Sequence, residues 1–149
     1  MVELLMVMGI MSILVVILSE VFGSILTMKL RSQATTAVAQ DSRYVISRLA
    51  YDISRATDIT NGSGNTLGLV INGAAYTYSL QASTLVLSID GGSVQALTGV
   101  RTKINSLSFT RTDVGAHKAV QINLNLAPVI IQPGGVTGAR QLTTTVALR

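Results

Sequence analysis

Few side chains of this sequence could perform covalent chemistry. The 149 residues include no Cys, no Trp and a single His, which excludes a disulfide framework, thiolate metal ligands and Cys catalysis. His117 has Asp113 and Asp90 as candidate acidic partners, but their spacing matches neither a zinc site nor a nucleophile–His–acid arrangement. We therefore expect His117 to lie in a solvated loop, and we expect a protein that is not an enzyme and uses no cofactor or metal.

The glycine-rich run at residues 61–68 does not predict a phosphate-binding loop. It follows a helical pattern rather than a strand, it lacks the G-x-G-x-x-G spacing, and no Walker motif occurs in the chain. Together with the turn-forming residues before it, this run predicts that a helix ends near residues 57–61.

One acidic residue is unusual because of its apolar surroundings. Glu3 precedes residues 4–19, which carry no charge, and only Glu20 interrupts the apolar sequence up to residue 28. As a helix, the uncharged stretch is about 24 Å long and the longer one about 37 Å, whereas a hydrocarbon core is about 30 Å thick. Because residues 1–28 are apolar on every face, they predict a membrane-length helix rather than a surface helix.

A carboxylate in such a segment is costly in lipid but favourable near a helix N-terminus. It is stabilised further where a second helix presents a cation to it in a low-dielectric bundle. We therefore expect the helix to lie first in a membrane and then to pack against copies of itself, with Glu3 beside a neighbour's N-terminal amine. A single-pass anchor is the alternative. A cleaved secretory signal is disfavoured because an acid stands where basic residues belong.

The first eighteen residues, MVELLMVMGIMSILVVIL, resemble the start of type IV pilins and type II secretion pseudopilins. Processed chains of that family begin Phe-Thr-aliphatic-aliphatic-Glu-Leu-Leu and continue in a long apolar run, and Met1 to Leu5 match the third to seventh places. The acid is therefore third here and fifth in the family, and Glu20 stands where many pilins have a proline. Residues 37–59 also resemble, more loosely, the J-type pseudopilin and W-type minor pilin branch.

This resemblance implies a life cycle. A prepilin peptidase would remove a short basic leader and methylate the new amine, and the helix would wait in the cytoplasmic membrane. An inner-membrane assembly platform would then move the chain into an extracellular or cell-surface filament made of copies of itself. The sequence does not distinguish between adhesion, motility, DNA uptake and secretion as the purpose of that filament. The alternatives are a minor pseudopilin of a type II secretion or DNA-uptake apparatus, and a single-pass membrane-anchored β-domain that binds an extracellular partner.

The residues expected to mediate subunit assembly lie along the apolar segment. Lys29 and Arg31 are candidate inter-subunit cations, and we expect Glu20 to pair with one of them on another subunit. The full set of expected assembly residues is Glu3, Leu4, Leu5, Gly9, Ile10, Ile13, Leu14, Ile17, Glu20 and Phe22.

Beyond residue 29 the helical pattern becomes one-faced. Arg48, Asp52 and Arg55 lie off the apolar stripe at three- and four-residue spacing and predict surface ion pairs. Tyr44 and Tyr51 are expected to pack in the core or at its rim. The predicted stripe consists of Leu30, Ala34, Ala37, Val38, Val45, Ile46, Leu49, Ile53 and Ala56.

The rest of the chain predicts antiparallel strands. Asn72-Gly73 is a strong hairpin signal, and residues 90–92 predict a second turn. The fold class is therefore α+β: a helix over about 1–59 whose C-terminal half packs on an antiparallel sheet. Residues 1–28 form the membrane or filament half-helix, and 29–149 form the head, with half-helix 29–59 and a sheet over about 66–149. The predicted strands are 67–71, 74–80, 84–89, 93–97, 106–111, 119–126 and 141–148, with a loop at 128–138.

Basic residues outnumber acids in the head. They favour a solvated basic face, with weak attraction to DNA or anionic surfaces as a second interpretation. Those beyond the helix are Arg101, Lys103, Arg111, Lys118, Arg140 and Arg149.

Overall fold

The chain forms one long helix followed by one antiparallel sheet, an α+β, pilin-like architecture. A computed structural model describes residues 2–114, 117–129 and 138–148. The predicted N-terminal position, Met1, and residues 130–137 of the predicted loop lie outside this described part. The chain divides into two compact units, residues 1–33 and 34–149.

Helix α1 (Val2–Arg55) contributes to both units. Every described residue of the first unit is solvent-exposed. In the second unit, the stripe predicted from three- and four-residue spacing is buried, and this includes Ala34, Val38 and Leu49. Leu30 was expected in the stripe but is exposed, because it lies in the first unit, outside the head.

The sheet contains eight described strands. Their bounds are β1 (Asp58–Gly64), β2 (Thr66–Ile71), β3 (Ala74–Gln81), β4 (Thr84–Ile89), β5 (Gln95–Ala96), β6 (Thr102–Val114), β7 (His117–Pro128) and β8 (Arg140–Ala147). The order across the sheet is β5-β4-β3-β2-β1-β6-β7-β8, and each neighbouring pair is antiparallel. The short strand β5 and the eight-residue strand β8 form the two edges.

The core lies between the residue 34–55 part of α1 and one face of the sheet. Alternate residues of β7 are buried from Val120 to Leu126, as a half-buried antiparallel sheet requires. In β2 and β4, three consecutive residues are buried, 67–69 and 85–87. Val45, Leu49 and Ile53 of the helix are completely buried in one cluster with sheet residues such as Leu69 and Ile122.

Turn chemistry agrees with the predicted hairpins. Asn72 and Gly73 both have positive φ (52° and 84°), the conformation of a two-residue turn that joins β2 to β3. Asp90 also has a positive φ, and its carboxylate accepts a 2.6 Å hydrogen bond from the Ala75 backbone N–H.

Several local predictions were wrong. Helix α1 ends at Arg55, before the predicted residues 57–61. The glycine-rich run at residues 61–68 forms the turn end of the β1–β2 hairpin rather than a simple terminating turn. His117 begins strand β7 instead of lying in a loop, because β6 and β7 form a longer hairpin than their alternation indicated.

The environment of Asp52 is a further correction. Its predicted ion pair with Arg48 forms at 2.8 Å, but Asp52 itself is only 3% exposed and lies in the core rather than at the surface. Arg55, the other predicted partner, donates a hydrogen bond to the Tyr51 hydroxyl instead. Tyr44 and Tyr51, which were expected to pack, are instead more than half exposed.

Candidate assembly surface

The first unit presents an unusually large apolar surface. Between Val2 and Leu30, twenty large apolar side chains are exposed, most of them by half or more. The helix is long and apolar enough to cross a membrane, and no part of its most apolar stretch is buried. Patches of this extent do not remain in water, so this surface requires lipid or protein neighbours.

The predicted assembly residues all belong to this exposed helix. Ile10, Ile13, Leu14, Ile17 and Leu18 line one shallow groove on its surface. Phe22 borders a second groove whose floor contains Gly23. The structure therefore places the predicted residues on an accessible surface, and which of them meet a neighbour stays a prediction.

Two glycines interrupt the apolar surface without any steric need inside the chain. A Cβ added at Gly9 or Gly23 would meet no atom within 4 Å. The two residues are fourteen apart, so they lie only about 40° apart around the helix. Small residues on one side of an apolar helix allow a second helix to approach closely.

Glu3 and Glu20 are the two acids of this segment. Glu3 lies in the first turn of α1, where the helix dipole favours negative charge. Glu20 is nine residues from Lys29 and eleven from Arg31, whereas ion pairs along one helix join residues three or four apart. An ion pair between Glu20 and either cation therefore needs two chains.

A buried polar cluster joins helix α1 to strand β3 inside the head. The Asp52 carboxylate accepts a hydrogen bond from the Tyr78 hydroxyl and a 2.8 Å hydrogen bond from Arg48 Nε. Tyr78 is fully buried, and burial, followed by the hydrogen bond to Asp52, raises its pKa well above the ordinary value. The cluster satisfies a core carboxylate that would otherwise be strongly unfavourable.

Two more carboxylates form ion pairs at the sheet surface. Lys118 Nζ lies 2.6 Å from Asp58 Oδ1, and this hydrogen bond is the main reason that the pKa of Asp58 falls below its usual value. Arg111 donates to both oxygens of Asp113, which lowers the pKa of that carboxyl as well.

The remaining head acids bind backbone groups. Asp41 accepts a hydrogen bond from the Gly99 N–H, and Asp90 accepts one from Ala75. All five acids of the described head are therefore engaged within the chain. No ion pair is described for Arg43, Arg101, Lys103 or Arg140, so the charge that the described head offers to other molecules is mostly positive.

Among the described residues, no three His, Asp or Glu side chains are grouped as metal ligands would be. The structure adds the Asp52–Tyr78 contact, which sequence spacing could not reveal because it joins residues 26 apart.

Comparison of the chain with protein-family models, with curated proteins and with solved structures finds no significant match.

Proposed function

We propose that this chain is a structural subunit of a type IV pilus-like filament. It polymerises when the apolar surface of one α1 packs against the same segment of other copies. The observation that carries the proposal is the length of helix, from Val2 to Gln33, that has no buried residue and is almost entirely apolar up to Met28.

The energetics favour a helical polymer over an isolated chain in water. Full burial of one large aliphatic side chain contributes about 1.5–3 kcal/mol, and twenty such side chains are exposed here. Lipid covers them before assembly, and sister helices cover them afterwards. Five flexible Met side chains, four of them within the first eleven residues, adapt to both surroundings.

The two acids of the apolar segment fix how neighbouring helices align in the polymer. Glu3 neutralises the N-terminal amine of a neighbouring subunit, and Glu20 pairs with Lys29 or Arg31 of another. Within a low-dielectric bundle each acid is stable only beside a cation, so misaligned packing is penalised.

The rest of the proposal follows the resemblance of the first eighteen residues to type IV pilins and pseudopilins. A prepilin peptidase and an inner-membrane assembly platform process and extrude the chain, and its final location is the cell surface. The protein has no catalytic role. A minor pseudopilin of a secretion or DNA-uptake apparatus shares this assembly surface, and a single-pass anchored β-domain is the alternative outside the family.

The Glu3→Ala variant tests the proposal. The full chain, purified in detergent, is dialysed against detergent-free buffer, and filaments are counted by negative-stain electron microscopy. The wild type is expected to form filaments, and Glu3→Ala is expected to form at least about tenfold fewer, because a buried amine loses its counter-charge. Asp113→Ala, which removes an exposed head acid, serves as the matched control and should assemble normally.

Two results would contradict the proposal in different ways. Normal filaments from Glu3→Ala would remove the role of the acid. A wild type that stays monomeric in lipid and never polymerises would support the anchored β-domain instead.

A further inference from the structure

The solvent-facing side of β6, β7 and β8 carries a regular array of uncharged polar side chains. The ladder sets Ser106 opposite Asn125, Ser108 opposite Asn123, and Thr110 opposite Gln121. The same β7 residues face Gln141, Thr143 and Thr145 of β8. We call these nine residues the polar grid: Ser106, Ser108, Thr110, Gln121, Asn123, Asn125, Gln141, Thr143 and Thr145.

The grid lies on one face because cross-strand partners and alternate residues share a side of a sheet. The residues between them point the other way, and Leu107, Phe109 and Ile122 among them are buried in the core. None of the nine grid residues is buried. Five of them are exposed, and the other four, Ser108 and the three amides of β7, are half-buried. The face is therefore open to a ligand over three strands and three rows.

The chemistry of the grid is unusually uniform. Strand β6 supplies only hydroxyls and strand β7 only amides, and each of these groups both donates and accepts hydrogen bonds. Neighbouring rows are about 6.7 Å apart along a strand, and neighbouring strands are about 4.8 Å apart. Thr143 Oγ1 donates a 2.9 Å hydrogen bond to Asn123 Oδ1, which orients that amide before any ligand arrives.

We propose that the polar grid binds an uncharged polysaccharide chain. The hydroxyls of such a polymer both donate and accept hydrogen bonds. They can therefore take over the hydrogen bonds that water otherwise makes with the hydroxyls and amides of the grid. Since the grid has no charge and the ligand has none, neither partner leaves an unpaired ion behind. This inference is independent of filament formation, although copies in a filament would strengthen weak single-site binding through avidity.

Other occupants fit the grid less well. Nucleic acids bind through neutralised phosphates, and the grid contains no cation. A second copy of the sheet would have to bury nine polar groups in a dry interface, whereas stacked sheets interlock apolar side chains.

The test is co-sedimentation of the full chain with microcrystalline cellulose and with cross-linked dextran. A polyoxyethylene detergent keeps the protein soluble, because glycoside detergents would compete for the grid. The wild type is expected to sediment with at least one polymer, and to do so equally in salt well above physiological ionic strength, since no ion pair is involved.

The variant Gln121→Glu/Asn123→Asp places two charges in the centre of the grid at nearly unchanged volume. Its bound fraction is expected to fall at least about tenfold, a loss of ~1.4 kcal/mol. Thr77→Glu/Gln81→Glu adds the same charge on exposed positions of β3 and should bind as the wild type does. Circular dichroism checks that both variants fold. The variant Thr110→Val/Thr145→Val is a second test. It removes two hydroxyls from the grid while valine suits a strand, and its bound fraction is also expected to fall.

Three outcomes would overturn the inference. They are a wild type that binds neither polymer, a Gln121→Glu/Asn123→Asp variant that binds as tightly as the control, and binding that disappears in high salt. If the wild type binds no polysaccharide but dimerises with increasing concentration, and the Gln121→Glu/Asn123→Asp variant does not dimerise, the grid is an interface between two copies of the chain.

Discussion

A single carboxylate shows how the head combines polar and apolar packing. Asp52 was predicted to lie off the apolar stripe of α1, but the structure places it on the buried face of the helix, beside Leu49 and Ile53. Its two partners come from different elements, Arg48 from one turn earlier and Tyr78 from β3. The cluster therefore fixes how the residue 34–55 helix lies on the sheet, because a shift of either element leaves the carboxylate unsatisfied.

Removal of the Tyr78 hydroxyl measures this contribution. Tyr78→Phe keeps the ring but deprives a buried carboxylate of a donor, so the free energy of unfolding should fall by about 1–3 kcal/mol. Denaturant unfolding followed by circular dichroism gives the value. Tyr44→Phe, at an exposed position on the helix, should change stability by less than about 0.5 kcal/mol. Equal effects of the two variants would contradict a role for the cluster.

The Asp58–Lys118 pair predicts a pH effect with a definite sign. Because its folded-state pKa is lowered, Asp58 stabilises the head above its unfolded pKa of about 3.9, and this contribution disappears as the pH falls through the folded value. In the Asp58→Asn variant, the free energy of unfolding should therefore fall less steeply than in the wild type as the pH is lowered into the acid range. Lys118→Met should have a similar effect, and the double variant should add little further. Strictly additive effects would show that the two residues act separately.

At the scale of elements, local patterns predicted most of the fold. Strand β4 has its predicted bounds. Strands β2 and β3 each differ from the prediction by one residue at one end, and β8 is shifted by one residue. These strands could be predicted because alternation and turn residues mark them directly. Strand β1 was missed because its sequence DITNGSG has the composition of a turn. It pairs with the adjacent β2 on one side and with the distant β6 on the other, and neither pairing shows in its own sequence. The burial of Asp52 was missed for a similar reason, because it depends on a contact with Tyr78, 26 residues away.

Of the two candidate surfaces, one could be predicted from the sequence and the other could not. The apolar assembly segment could be found from sequence because every face of it is apolar, and no partner is needed to recognise that. The polar grid could not, because each strand alone looks like an ordinary solvated strand. Only the register between β6, β7 and β8 shows that nine uncharged groups adjoin.

The glycines of α1 allow a prediction about close helix contact. Gly9→Leu and Gly23→Leu meet open space within one chain and raise helix propensity by roughly 0.8 kcal/mol each, so the unassembled chain should remain helical. Filament yield should nevertheless fall at least about tenfold if a neighbouring helix approaches there. Val16→Leu, a small change at another exposed position, is the control. Normal filaments from both glycine variants would contradict close packing at these sites.

At the scale of the molecule, the packed core and the exposed apolar surface occupy different parts of the chain. All residues of the core cluster lie at or beyond Val38, whereas none of the described residues before Ala34 is buried. The first unit therefore gains its stabilisation only from molecules outside the chain, and the second gains its own from the helix–sheet core.

This division predicts that residues 34–149 fold alone. Without the apolar segment the fragment should be a monomer in detergent-free buffer, by size-exclusion chromatography with light scattering. Its free energy of unfolding should match that of the full chain in detergent within about 1 kcal/mol, because no core contact is lost. Helix 34–55 persists in the fragment because its apolar stripe is buried by the sheet rather than by residues 2–33. A fragment that is unfolded or aggregated would show that the apolar segment also holds the head together, and that assembly and folding are coupled.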